Sequence, residues 1–196
     1  MTTPARRRWL AAACVAPWLL ACTKRSFQAI DVSGADWGRD FRLRGADGRE
    51  HTLADYRGRL VLVFFGFTQC PDICPTALAR AAETIRLLGA EARLLQVIFV
   101  TIDPERDTPA VLGEYTRAFE PTFIGLWGDA AATEATAREF HVFYRKVQTG
   151  ASYTMDHSAI SYVFDTRGRL RLAVQHAQTA AALAADMQLL LDEAAA

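Results

Sequence analysis

The chain has 196 residues, 51% hydrophobic and 22% charged, and its 22 Lys and Arg balance 22 Asp and Glu. That much apolar material at zero net charge excludes an extended disordered chain, and the even balance offers no basic stripe for nucleic acid. No uninterrupted apolar run reaches the ~18 residues of a membrane span, so a multi-span membrane protein is excluded too and the length predicts one compact domain.

In chain order, the first segment is an export address. Arg6, Arg7 and Arg8 precede an apolar stretch from Trp9 to Ala21, 13 residues long and broken by Pro17. Such a stretch is too short for a ~30 Å hydrocarbon core and has the length of a signal-peptide core. It ends in Leu19-Leu20-Ala21-Cys22, which resembles a bacterial lipobox. The resemblance implies a signal peptide over residues 1–21, a lipidated Cys22 and a domain tethered on the periplasmic side of a bacterial membrane. An uncleaved short anchor is the alternative. Removing residues 1–21 takes away three positive charges and no negative ones, leaving a net charge of −3. Cys14 leaves with the signal and Cys22 would carry lipid, so Cys70 and Cys74 are the remaining thiols.

Residues 22–39 read as a polar linker, and 40–196 as the folded domain. Phe41 to Leu43 and His51 to Leu53 predict a hairpin turning at Gly45, Asp47 and Gly48. Leu60 to Phe65 is continuously apolar and β-branched, the pattern of a strand covered on both faces. Pro75 then opens a helix, with Leu78, Ala81, Ile85 and Leu88 at helical spacing and Gly89 as its stop. Arg93 to Ile102 predicts a second buried strand. Thr108 caps a helix starting at Pro109 and running to about Phe119. Phe123 to Leu126 is a short strand, and Asp129 begins a helix to about Phe140. His141 to Gln148, Ala159 to Asp165 and Leu170 to Gln175 read as strands, the last two joined through Thr166-Arg167-Gly168 as an antiparallel hairpin. An Ala- and Leu-rich helix from about Thr179 to Asp192 closes the chain. The order predicts an α/β domain of thioredoxin-like fold: a mixed central sheet with flanking helices, closed by a C-terminal β-hairpin and helix.

The chemistry falls where the first buried strand meets the first long helix, at Gly66-Phe67-Thr68-Gln69-Cys70-Pro71-Asp72-Ile73-Cys74-Pro75. A helix N-terminus presents free N–H groups and the positive end of its dipole, which favour thiolate over thiol. In a helix-like loop, residues four apart lie about 6 Å apart on one face, within the 4.4–6.8 Å range of a disulfide. The pair could equally hold a soft metal ion. A purely structural disulfide is the third reading, although so small a loop constrains the unfolded chain little.

The run Gly66-Phe67-Thr68-Gln69-Cys70-Pro71-Asp72-Ile73-Cys74-Pro75-Thr76 resembles the signature of the Sco/SenC family, copper proteins of thioredoxin-like fold. Val100-Thr101-Ile102-Asp103-Pro104-Glu105-Arg106-Asp107-Thr108 resembles the family's second block, and Asp156-His157-Ser158 its third. The blocks keep the family's order from about residue 30 to the C-terminus; Gln69 stands where some relatives carry His. The resemblance implies that Cys70, Cys74 and His157 hold copper, as Cu(I) or Cu(II), and that Cys70 and Cys74 form a redox-active disulfide pair. It further implies delivery to the dinuclear copper site of cytochrome c oxidase subunit II, with other periplasmic copper carriers and thiol–disulfide reductants as further partners. Two thiolates and an imidazole suit soft Cu(I), whereas structural zinc normally takes four protein ligands.

Other residues have plainer readings. Taken alone, a histidine ahead of a buried strand is ordinarily satisfied or exposed; it is the resemblance of the Asp-His-Ser block to the family's that implies His157 is a ligand. Asp156 is a candidate to orient its ring, and Met155 reads as core. Asp103 to Asp107 reads as a solvated turn capping the next helix, with docking or tuning of the metal pocket as its family role. His51, His141 and His176 read as surface residues; Phe64, Phe65 and Phe67 read as core. Two functions follow: a copper metallochaperone, or a membrane-tethered thiol–disulfide reductase that keeps the oxidase's copper-ligand cysteines reduced. A peroxiredoxin is excluded because Val63 stands where its Pro would be and Thr68 is one residue too close to the cysteine.

Overall fold

A computed structural model describes residues 26–195; the expected signal peptide (residues 1–21) and the expected lipidation site Cys22 lie outside them. Among the described residues ten strands and four α-helices follow one another: β1 (Ile30–Asp31), β2 (Arg42–Gly45), β3 (Glu50–Thr52), β4 (Leu60–Gly66), α1 (Ile73–Leu88), β5 (Leu95–Thr101), α2 (Pro109–Phe119), β6 (Ile124–Trp127), α3 (Ala130–Glu139), β7 (Tyr144–Thr149), β8 (Ser152–His157), β9 (Ile160–Phe164), β10 (Leu170–Gln175) and α4 (Ala180–Ala195). Eight strands form one mixed sheet in the order β1-β10-β9-β4-β5-β6-β2-β3, and β7 and β8 form a separate two-stranded ribbon.

The centre of the sheet follows directly from composition. β4 and β5 pair in parallel from Leu60 opposite Leu95 to Gly66 opposite Thr101, and every residue of both is buried. The hydrophobic runs need cover on both faces because a parallel pair sits between helices. Consecutive side chains on β4 therefore serve different layers. Phe64 meets Phe99 at 6.1 Å, while Phe65 meets Phe140, at the end of α3, at 5.1 Å and Tyr162 at 6.4 Å. β9 pairs antiparallel with β4, and the β9–β10 hairpin turns at Gly168, whose φ of 74° a side chain would resist. α1 and α4 pack together. The mixed sheet, flanking helices and closing hairpin and helix are those the sequence predicts.

Helix starts follow their caps. Thr108 Oγ1 accepts from the Val111 amide at 3.3 Å ahead of Pro109, and Asp129 Oδ1 accepts from the Ala132 amide at 2.8 Å. α1 starts two residues before Pro75, at Ile73. Proline fits inside the first turn because an N–H there has no intrahelical acceptor. That shift places Cys74 in the helix itself.

Three features were not marked by the sequence. Within residues 22–39, Ile30 pairs with Ala173 of β10, and the Gln28 and Ala29 amides each donate at 2.8 Å to the buried Asp186 carboxylate of α4. β7 begins at Tyr144 rather than His141, whose φ of 52° turns the chain between the buried Phe140 and Val142. Its partner β8 carries no apolar run of its own.

Candidate metal centre

β4 ends at Gly66, where a Cβ would lie 2.7 Å from Cys74 Sγ and 2.9 Å from the Phe99 ring, so only glycine lets the sulfur approach the strand this closely. The chain then turns through Phe67 to Gln69, the Cys70 amide donating to the Phe67 carbonyl at 3.3 Å, before α1 begins. Cys70 is half-buried and Cys74 fully buried, and neither is in a disulfide. The Cys74 amide, in the first turn of α1, donates to Cys70 Sγ at 3.4 Å. This is the contact that a helix N-terminus offers a thiolate.

The sulfurs titrate as a pair. The Cys70 pKa is lowered to about 5, chiefly by the hydrogen bond from the Cys74 thiol; burial opposes this, and the Asp72 and Cys74 amides assist it. Cys74 is pushed well above the ordinary thiol range, because it is the donor to Cys70 and because it is buried. One proton therefore serves two sulfurs, with the thiolate on the accessible one.

His157 arrives from 83 residues further along the chain, as the last residue of β8. Its Nδ1 lies 2.9 Å from the Ser158 carbonyl, and its Nε2 lies 3.7 Å from Cys74 Sγ. A carbonyl only accepts, so Nδ1 carries the hydrogen of that bond, and Nε2 is the ring nitrogen turned toward the sulfurs. Phe64 and Phe67 meet the ring edge-on at 6.1 and 6.0 Å. Cys70, Cys74 and His157 thus place three ligand atoms within 4.8 Å of one another. A trigonal ion bound at ~2.3 Å to sulfur and ~2.0 Å to nitrogen needs edges of about 3.7–4.0 Å. A contraction of about an ångström along the longest edge makes the fit.

Several expectations are corrected here. Asp156 does not orient the ring: neighbours on a strand point oppositely, and its exposed carboxylate takes Arg145 at 2.8 Å. The Ser158 carbonyl fills that role. Met155 is core, as expected. The Asp103–Asp107 turn is not solvated at its two aspartates, although Glu105 between them is exposed. Asp107 is fully buried and accepts from the Thr68 amide at 3.0 Å, Thr68 Oγ1 at 2.6 Å and Thr101 Oγ1 at 2.7 Å. This ties the cysteine loop to the end of β5. Burial raises the Asp107 pKa, and the Thr68 and Thr101 bonds offset part of the rise. Asp103, also buried, pairs with Arg106 and accepts from the Tyr153 hydroxyl. His51 is buried as well, between the Tyr56 hydroxyl at 2.7 Å and Asp47 at 3.2 Å. His141 is exposed and stacks on Trp37, and His176 is half-buried. Arg106 and Tyr153 were missed. The two-residue spacing of Tyr153, Met155 and His157 was the available signal, because it sets all three on one face of a strand.

Comparison with known proteins agrees with this geometry. The family model described as SCO1/SenC matches residues 31–192. The SCO2-like protein of Rickettsia felis is 40% identical over 135 residues, covering 67% of this chain and 66% of that protein. The mitochondrial SCO2 homolog of Bos taurus is 40% identical over 133 residues, covering 66% and 50%. The chain thus spans half to two thirds of the length of these relatives. Among solved structures, Bradyrhizobium japonicum ScoI with copper bound superposes with a TM-score of 0.73 at 38% identity, covering 80% of this chain and 99% of that one. Apo Sco1 from Thermus thermophilus gives 0.77 at 36% identity, covering 86% and 99%.

Proposed function

The chain belongs to the SCO1/SenC family, and from that premise we propose that it is a copper metallochaperone of cytochrome c oxidase assembly. Copper is its cargo, held by Cys70 Sγ, Cys74 Sγ and His157 Nε2 and passed to the dinuclear site of oxidase subunit II. The observation that carries this reading is the convergence of two sulfurs and one imidazole nitrogen within 4.8 Å. That soft, three-donor set suits Cu(I), while the nitrogen admits Cu(II). With three protein ligands the ion keeps an open side, which a donor needs for exchange. A relative solved with copper bound shares 38% of its sequence with this chain.

The sulfur pair also gates loading. Oxidation to a Cys70–Cys74 disulfide consumes both thiolates and leaves no sulfur donor. The same reactivity supports the second reading, a thiol–disulfide reductase. The low-pKa, half-exposed Cys70 attacks a target disulfide, the buried Cys74 resolves the mixed disulfide, two target thiols are released, and the Cys70–Cys74 bond that forms is later reduced by a periplasmic thiol carrier. The lipobox-like segment extends the proposal to a domain that begins by Gln28, where the chain first bonds α4 and then pairs with β10, tethered on the periplasmic side of a bacterial membrane through the few residues after a lipidated Cys22. No helix among the described residues is long and apolar enough to cross a membrane.

The test is His157→Ala in the full chain, measuring Cu(I) affinity and disulfide exchange with a model substrate. As a chaperone, the variant loses more than the ~10–100-fold in affinity that even a supporting residue costs, while exchange persists. Copper bound one-to-one as tightly as by the wild type overturns the ligand assignment.

A further inference from the structure

We propose that Arg106 is the positioning residue of this centre: its guanidinium fastens the ribbon that carries His157 to the loop that carries Cys70. The inference rests on the copper-binding reading above. The β7–β8 ribbon shares no ladder with the eight-stranded sheet among the described residues, so beyond its chain links to α3 and β9 it is held by side chains. Tyr153, Met155 and His157 alternate along β8 and share a face, so holding the Tyr153 end aims the His157 end.

Arg106 holds that end in three ways. Its Nη1 donates to the Tyr153 carbonyl at 2.9 Å. Its guanidinium carbon stands 3.7 Å from the centre of the Tyr153 ring. Its Nε donates at 2.5 Å to Asp103, whose other carboxylate oxygen accepts from the Tyr153 hydroxyl at 2.9 Å. The same Nη1 donates to Gln69 Oε1, next to Cys70, at 3.0 Å. One cation therefore spans the second sequence block, the cysteine loop and the histidine strand. The pair is desolvated, with 17% of the Arg106 side chain and 2% of Asp103 exposed. A second strap, Lys146 to Glu105 at 2.8 Å, is exposed and so holds the ribbon only weakly. Lysine cannot replace Arg106, because a single ammonium lacks the planar fork that reaches Asp103, Tyr153 and Gln69 together and stacks on the ring.

The test compares the wild type, Arg106→Ala, His157→Ala and the double variant as full chains. Cu(I) affinity is read by competition with a chromophoric chelator, and the Cu(II) form by electron paramagnetic resonance, where nitrogen coupling reports His157. Arg106→Ala is expected to lose about 10–100-fold in affinity, as supporting residues of metal ligands do. It should also lose nitrogen coupling, and Arg106→Lys should recover little of either. In the His157→Ala background the same change should have no further effect, since the two residues act through one contact. An equal loss in both backgrounds overturns the proposal, because Arg106 would then act on the fold or the local charge. Full affinity and nitrogen coupling in Arg106→Ala also overturn it. If Arg106→Ala does not fold, Tyr153→Leu removes the ring and hydroxyl from the other side, and unchanged nitrogen coupling there is equally fatal. Copper affinity left intact by His157→Ala would instead sink the ligand set, and the clasp with it.

Discussion

Replacing Gly66 by Ala tests how tightly the sulfur pair is built into the end of β4. The glycine is required for space rather than for an unusual φ. A Cβ there would stand 2.7 Å from Cys74 Sγ and 2.9 and 3.0 Å from two carbons of the Phe99 ring, against the ~3.5–4.0 Å of ordinary apolar contacts. Neither neighbour is a loose end, since Cys74 and Phe99 are both fully buried. Relief therefore takes nearly an ångström of movement in a packed core, and such overpacking typically costs about 1–3 kcal/mol. At ~2–4 °C per kcal/mol for a domain of this size, the melting temperature of the reduced, metal-free protein should fall by roughly 2–12 °C. Circular dichroism on heating measures it. Because Cys74 Sγ sits 3.7 Å from His157 Nε2, a displaced sulfur should also weaken Cu(I) binding. In a Cys74→Ala background the nearest clash is gone, so the drop should shrink. An unchanged melting temperature, or the same drop in both backgrounds, refutes the close-packing argument.

Two further outcomes follow from the same geometry. Cys70, with its pKa lowered to about 5, should be alkylated by iodoacetamide at a rate half-maximal near that pH. Reactivity should be full above it and lost as pH falls through it, because the thiolate is the nucleophile; Cys74→Ala removes the principal cause and should move the midpoint up toward the ~8.5 of a free thiol. Asp107→Ala leaves the Thr68 amide and the Thr68 and Thr101 hydroxyls without their acceptor. That should cost about 1–3 kcal/mol in denaturant unfolding and speed hydrogen exchange at the Thr68 amide, and a protected Thr68 amide would contradict it.

The elements whose causes are local could be read along the chain. Leu60–Gly66 and Leu95–Thr101 are largely apolar runs that include β-branched residues, α2 and α3 begin where Thr108 and Asp129 cap them, and Cys70 and Cys74 are four residues apart. Periodicity, capping and spacing act over a handful of residues, so sequence order suffices for them. Tertiary contacts decided the rest. β8 has no apolar run and exists as a strand because β7 pairs with it. Asp103, Asp107 and His51 belong to types that composition assigns to solvent, yet each is buried because distant or folded-back partners supply its hydrogen bonds. His157 is the clearest case. Only the Asp-His-Ser resemblance marked it, and nothing in its own surroundings brings a nitrogen to a sulfur 83 residues away. That meeting depends on β9 returning beside β4 and on the contacts, Arg106 to Tyr153 among them, of a ribbon that shares no ladder with the sheet among the described residues. A metal centre assembled from separate segments is a property of packing, because the distance between its donors is set by the fold and not by the length of chain between them.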